Sequence, residues 1–365
     1  MQDRKNPLPL LVALVSLLLL PLATAEAQPQ AEFGEDVEVE EVALDVLVTD
    51  RQGNVVVGLD PDDFIVREDG EPVEITDVTF YSNRRFLESE AVAEELGLDP
   101  EAVPTDRYFI LFFDDPRRFL PRLSRQTLDA ARWAKRWVEG DLQPNDYVAV
   151  VRYDYELTLV QDFTNDEEEL TEAIDATASG KTPPAGEVRG DAPESLLPHW
   201  PEGRHLDEID LIYEALETTA LAAGTIPGRK NLVLFSIGFG ETNTAGFYTP
   251  DPRYYPDMKR ILNDNNVATY AVDLLPTTAF AAGPRTVLSN ALSNLAADTG
   301  GTYYFNFANF ITPLESISRE TNGYYLITYR SPHPRGETGY QEVTVDTENP
   351  RLRVNVREGY RYGEE

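Results

Sequence analysis

Tyr108-Phe109-Ile110-Leu111-Phe112-Phe113 is an unbroken apolar run that stops at Asp114-Asp115. A strand wetted on one face alternates apolar and polar residues. A run without alternation belongs to a strand covered on both faces, the condition of a central strand in a parallel sheet. The following residues fit that reading. Ser124 to Glu139 places Leu128, Ala131, Trp133, Ala134 and Val138 at helical spacing. Val148 to Tyr153 and Thr158 to Phe163 read as strands joined by a tight turn at Tyr155-Glu156, and Thr164 or Asp166 is placed to cap a helix through Leu170 and Ile174. A helix from Asp207 to Ala222 then precedes Asn231-Leu232-Val233-Leu234-Phe235-Ser236, a second buried strand. Val267 to Asp273 is a third, and a helix from Thr286 to Asp298 leads to Thr302-Tyr303-Tyr304-Phe305. Strands alternating with helices predict an α/β fold over residues 107–321, a doubly wound, Rossmann-like, mostly parallel sheet. The Pro-, Gly- and charge-rich stretch from Ser179 to Glu208 reads as a long loop on it.

The flanks have a different period. In residues 37–82, Val42, Leu44, Val46 and Val48 alternate with Ala43, Asp45, Leu47 and Thr49. Phe64-Ile65-Val66 and Val73-Glu74-Ile75 flank Glu68-Asp69-Gly70-Glu71, and an Asp-Gly pair between apolar runs is a hairpin signal. Residues 83–106 are acidic and read as a linker or surface helix. Alternation returns in residues 322–365, at Tyr324 to Tyr329, Tyr340 to Val345 and Leu352 to Val356. Each terminal block is too thin to stand alone. The expectation is one composite β-sandwich of N- and C-terminal strands with the α/β domain inserted between its halves.

Composition narrows the chemistry. The 365 residues include 64 Asp+Glu against 31 Lys+Arg, a formal charge of −33, and no basic stripe, which excludes a nucleic-acid binder and disfavours an anionic membrane surface. With no Cys, disulfides, thiolate zinc sites and Cys nucleophiles are absent. Only His199, His205 and His333 supply imidazole, so any metal here is a hard cation held by oxygen. Residues 1–25 combine Arg4-Lys5, an apolar run from Leu8 to Leu20 and Ala23-Thr24-Ala25, the pattern of a secretory signal peptide cleaved after Ala25 or Ala27. The run is short of the ~20 residues that span a bilayer, which favours cleavage over an anchor. The mature chain is expected to be exported, periplasmic, at the cell surface or secreted, with no membrane span.

The order of strand Tyr108 to Asp114, Tyr147-Val148-Ala149-Val150, Phe163-Thr164-Asn165-Asp166, Gly228-Arg229-Lys230 with Asn231 to Ser236, and Tyr270-Ala271-Val272-Asp273 resembles a von Willebrand factor type A domain. With Glu68-Asp69-Gly70 before it and Gly359-Tyr360 after it, the chain resembles the exported bacterial VWFA-related family over nearly its whole mature length. The resemblance implies the fold and an interaction role. It also implies where a Mg²⁺ would sit: an Asp-x-Ser-x-Ser after the first strand, a Thr from a later loop and an Asp after the fourth strand. Asp114 fills the first position, but Pro116 and Arg118 stand at the two Ser positions, Ile237 at the later Asp, and the Thr position falls near Leu206. Four of the five ligands are missing, so the resemblance implies a degenerate metal-ion-dependent adhesion site.

A competing reading makes Asp114, Asp115 and Asp273, at strand ends facing one crevice, a different acidic site for Mg²⁺ or Ca²⁺. Pairing with Arg117 or Arg118, or ordering of the strand-end loops, explains such carboxylates equally and is preferred. No cofactor is expected. Elsewhere, Ser236 lacks the preceding Gly of a nucleophile elbow, Gly238-Phe239-Gly240-Glu241 lacks the third glycine of a dinucleotide fingerprint, and Gly180-Lys181-Thr182 lacks the upstream Gly of a P-loop. His205 is expected at a helix start, on the surface. Phe247-Tyr248 and Tyr254-Tyr255, interleaved with Pro250, Pro252 and Pro256, read as a satellite core or a binding surface. The preferred expectation is a non-enzymatic, exported protein-interaction module whose strand-end face, with Asp114, Asp115, Arg117, Glu241, Tyr254 and Asp273, binds a protein or cell-envelope partner. The alternative is a metal-assisted hydrolase using the strand-end carboxylates.

Overall fold

A computed structural model describes residues 39–83, 106–115, 124–181, 188–201, 205–206, 211–242, 248–274, 285–307, 309–334 and 338–363. The signal segment, the acidic stretch 84–105 and Pro116, Arg117 and Arg118 lie outside the described residues. In chain order the first block holds β1 (Val39–Thr49), β2 (Phe64–Glu68), β3 (Glu71–Pro72) and β4 (Ile75–Ser82). The next holds β5 (Arg107–Asp114), α1 (Ser124–Asp141), β6 (Asp146–Tyr153), β7 (Leu157–Thr164), α2 (Glu167–Ser179), β8 (His205–Leu206), α3 (Ile212–Ala222) and β9 (Lys230–Ser236). It continues with β10 (Glu241–Thr242), β11 (Tyr248–Thr249), α4 (Tyr255–Asp264), β12 (Val267–Asp273), α5 (Arg285–Asp298), β13 (Tyr303–Tyr304) and α6 (Ile311–Glu320). The last block holds β14 (Gly323–Pro334), β15 (Gly339–Thr347), β16 (Arg353–Asn355) and β17 (Gly359–Tyr362).

The apolar run of β5 sits in the middle of a seven-stranded sheet ordered β13-β12-β9-β5-β6-β7-β8. Successive side chains on a strand point to opposite faces. Ile110 and Phe112 therefore enter a core with Leu216 and Ala220 of α3, Met258 and Leu262 of α4 and Leu295 of α5. Phe109, Leu111 and Phe113 enter the other, with Ala134 and Trp137 of α1, Ile174 of α2 and Leu314 and Ile317 of α6. Helices on both faces explain why the run carries no polar residue. Each fully buried Phe contributes about 1.5–3 kcal/mol, and Phe109 meets Trp137 edge-on at 5.3 Å.

The sheet is mixed. β5 pairs in parallel with β6 and β9, and β9 with β12, but β7 runs antiparallel to β6 across a turn in which Tyr155 takes φ 73°. Asp166 is the cap of α2, its Oδ1 accepting from Glu169 N at 2.9 Å, and Gly180, at φ 68°, ends that helix. Gly180-Lys181 is thus a helix terminus. His205 differs from expectation: it lies in β8, paired with Thr158 of β7, and α3 begins only at Ile212. The open edge of β7 takes these two residues as backbone partners before the helix starts.

The terminal blocks hydrogen-bond to one another. β14 runs antiparallel to β1, with Val42 opposite Tyr329 and Val46 opposite Tyr325, and to β4 on its other side. β15 pairs with β2, Val345 opposite Val66. The result is two four-stranded sheets, β16-β1-β14-β4 and β17-β15-β2-β3, whose apolar residues Leu44, Val46, Val66, Ile327 and Val345 belong to one cluster. At the tip of β2, Asp69 and Gly70 take φ 47° and 84°, both positive as a two-residue type I′ hairpin turn requires. The return arm therefore starts at Glu71, two residues before the Val73 expected from the pattern.

Glu68 points into this cluster. It is 2% exposed, and its Oε2 accepts from Tyr329 Oη at 2.6 Å and Tyr360 Oη at 2.8 Å. His333 Nε2 lies 3.2 Å from Oε1. The acid of Glu68-Asp69-Gly70 and the phenol of Gly359-Tyr360 thus meet in one buried polar knot. Terminal and central sheets join at the starts of the parallel strands. Asn266 Nδ2 donates to Asp45 Oδ2 at 2.5 Å, Lys259 Nζ to Glu358 Oε2 at 2.7 Å and Arg357 Nη1 to Asn263 O at 3.0 Å. Arg107, buried, makes a two-point pair with Asp146, both contacts 2.6 Å, and bonds Thr321 and Asn322 ahead of β14.

Candidate functional site

At the other ends of β5, β9 and β12 the chain leaves the sheet, and open α/β sheets hold ligands in the crevice so formed. Register decides which residues meet there. Asp273 is level with Ser236, and Phe113 with Phe235, so Asp114, Ser236 and Asp273 lie side by side on three adjacent strands. Ser236 is the pivot. Its Oγ donates to Asp114 Oδ2 at 2.5 Å and accepts from Gly238 N at 2.9 Å. Asp273 accepts from Tyr303 Oη at 2.9 Å. Asp115 is 4% exposed, and its N–H donates to Tyr153 O at 2.8 Å.

Burial is the main influence on Asp114 and pushes its carboxyl up to about 7; the Ser236 hydrogen bond opposes this and neighbouring Asp115 adds to it. The group therefore changes charge near neutral pH, unlike an ordinary surface aspartate. Among the described residues no three Asp, Glu or His side chains are grouped to hold a metal.

A cluster of aromatic residues follows Ser236 in the chain. After Ser236 the chain turns through Gly238 (φ 97°) and Gly240 (φ 117°), which brings Phe239 edge-on to Tyr213 at 5.2 Å. Tyr213 also lies 5.8 Å from the half-buried Tyr254, and its hydroxyl accepts from Asp251 N at 3.0 Å. Arg253, ion-paired with Asp251 at 2.6 Å, covers the Tyr254 ring at 5.3 Å. Tyr255 instead turns into the core and donates to Asp298 Oδ2 at 2.7 Å. Phe247 lies outside the described residues.

Of the residues singled out in the sequence, the fold brings Asp114 and Asp273 to either side of Ser236 and connects Tyr254 to the same edge through Tyr213 and Phe239. Glu241 opens the short β10–β11 pairing, opposite Thr249. Arg117 lies outside the described residues. Sequence reasoning missed Tyr303 as the partner of Asp273 and missed the Glu68 knot. The knot had a signal: Glu68 follows Phe64 and Val66 at strand period, which places its side chain on the apolar face.

No family model matches the sequence, and no curated protein does. Solved structures do align. The von Willebrand factor domain of the type V pili tip protein Mfa5 from Porphyromonas gingivalis aligns at 16% identity and TM-score 0.37, covering 60% of this chain and 96% of that one. BatB from Bacteroides thetaiotaomicron aligns at 14% identity and TM-score 0.37, covering 59% and 97%. Proximal thread matrix protein 1 from the mussel byssus aligns at 12% identity and TM-score 0.38, and this chain spans about half its length, 48%.

Proposed function

We propose that the chain is an exported, adhesion-type protein-interaction module, non-enzymatic, whose crevice is a degenerate form of the metal-ion-dependent adhesion site and engages its partner without a bridging cation. The observation that carries the reading is Asp114. A divalent cation needs an ionised carboxylate and several further oxygens converging on one point. Here Pro116 and Arg118 stand where the two serines would, Asp114 Oδ2 is tied to Ser236 Oγ at 2.5 Å, and Asp273 accepts from Tyr303 Oη. These donors do not fit the usual Mg²⁺ set. The binding face then comprises Asp114, Asp115, Arg117, Glu241, Tyr254 and Asp273, with Tyr254 as the aromatic anchor. The two terminal sheets, stacked as a β-sandwich, carry the α/β domain and leave its crevice toward a protein or cell-envelope partner.

The expected behaviour is capture of a cell-envelope protein that EDTA leaves intact and that Arg117→Glu or Tyr254→Ala weakens at least tenfold, read by surface plasmon resonance. Capture abolished by EDTA, or indifferent to both substitutions, contradicts the reading. A metal-assisted hydrolase draws on one observation, the placement of Asp114 and Asp273 on either side of Ser236. It requires EDTA-sensitive turnover of an ester, phosphoester or glycoside that Asp273→Asn removes.

A further inference from the structure

At the opposite edge of the central sheet, a cavity of about 290 Å³ opens between the starts of β5 and β9, the loop before α3, and β14. Its walls carry Asp106, Glu194, Tyr108, Tyr324, Asn231 and Arg229. The charges do not cancel. Asp106 and Glu194 have no hydrogen-bond or ion-pair partner among the described residues, and both act on the Tyr108 hydroxyl, whose ionisation they oppose. Arg107, also at the wall, is neutralised by its two-point pair with Asp146. Arg229 keeps one positive charge against these two acids: one guanidinium nitrogen bonds Gly300 O and, at 3.4 Å, Tyr270 Oη, and its buried Nε has no hydrogen-bond partner among the described residues, so the wall is left with a net charge of one negative unit. Asn231 is 4% exposed, and its Oδ1 is buried with no partner among the described residues. A buried acceptor without a donor is costly, and a ligand N–H relieves it. Tyr108 and Tyr324 add electron-rich rings held in place by stacking on Tyr147 at 5.7 Å and Tyr81 at 5.5 Å.

Two carboxylates and an amide oxygen without partners among the described residues, beside two phenol rings, select one chemistry. We propose that this cavity binds an organic cation, a guanidinium or alkylammonium group on a short aliphatic stem, with the charge between Asp106 and Glu194, the stem over the tyrosine rings and one N–H on Asn231 Oδ1. The group comes either from a free diamine-like molecule or from an Arg or Lys side chain of a peptide. The site is separate from the strand-end crevice and does not depend on the function proposed for it.

Isothermal titration of the full chain at low salt separates these sources, using agmatine and Nα-acetyl-arginine methylamide, with acetyl-citrulline methylamide as the uncharged control. Saturable binding of agmatine alone identifies a free cation; binding of the blocked arginine with equal or higher affinity identifies a peptide side chain. In both cases Asp106→Asn with Glu194→Gln, at exposed and half-buried positions, lowers affinity at least tenfold, Asn231→Leu lowers it independently, and citrulline does not compete. No saturable binding of either cation, binding unchanged in the double variant, or equal binding of citrulline overturns the proposal.

Discussion

Asp114 changes charge where most proteins are studied, and the direction of its effect follows from its surroundings. Its carboxyl titrates near 3.8 when the chain is unfolded and at about 7 when folded. Between those values the folded state keeps a proton that the unfolded state has released, so its contribution to stability falls as pH rises from about 4 to 7. Asp114→Asn keeps the shape and removes the charge. The variant should gain on the wild type, in urea midpoint, as pH rises across that interval; a constant difference would show that burial does not hold the proton. Lys230 behaves in the opposite sense. Burial lowers its ammonium from 10.5 to about 8, although its Nζ donates to Ile226 O at 2.7 Å and Gly228 O at 2.9 Å. The unfolded state binds more protons between those values, so stability rises from pH 8 toward 10 as Lys230 discharges. Lys230→Met should flatten that rise in denaturation curves at pH 7.5 to 9.5. Glu68 is a question of partners. Glu68→Leu removes the acceptor shared by the Tyr329 and Tyr360 hydroxyls, which keep each other and Ser331 as neighbours, and should cost roughly 1–3 kcal/mol in all, whereas Glu68→Gln keeps an acceptor and should lose less.

Turns and caps carry the next level of specification. Gly70 has open space where a Cβ would stand, so Gly70→Ala costs only the left-handed backbone at φ 84°, about 1–2 kcal/mol, read from the denaturation midpoint. Asp166→Ala removes the α2 cap and should cost about 1 kcal/mol. Both features were legible because they are local: Asp-Gly between strand patterns, and an acid immediately before a helical period. The buried strands β5, β9 and β12 were legible for a related reason, since a sheet covered on both faces tolerates no polar interruption. β8 was not. His205 and Leu206 have no period of their own, and only the open edge of β7, distant in sequence, makes them a strand. The candidate site divides in the same way. That Asp114 and Asp273 stand at strand ends follows from apolar runs that stop at an acid. That Ser236 meets Asp114 and Tyr303 meets Asp273 depends on register between strands more than a hundred residues or some thirty residues apart, which no local pattern encodes.

The chain leaves its first sheet block, builds the α/β layers and returns, so that β14 lies between β1 and β4. A chain ending at Asn322 leaves β1 and β4 without their shared partner and uncovers Leu44, Val46 and Val66. It should aggregate or lose the β contribution to circular dichroism rather than persist as a free α/β domain. The terminal sheets attach at the starts of the parallel strands, through Asp45, Arg357 and Glu358, beside the cavity proposed for a cation, which leaves the other ends of those strands for the crevice of the proposed function. With a net charge of −33, association at either edge should weaken as salt is raised if the partner is basic. The most direct test of a cation-free crevice is thermal unfolding of the metal-free protein with Mg²⁺, Mn²⁺ and Ca²⁺ added in turn, alongside Asp114→Asn. A cation at 100 times its dissociation constant stabilises by about 2.7 kcal/mol, well within detection. No shift is expected with any of the three; a shift in the wild type that disappears in Asp114→Asn would contradict it.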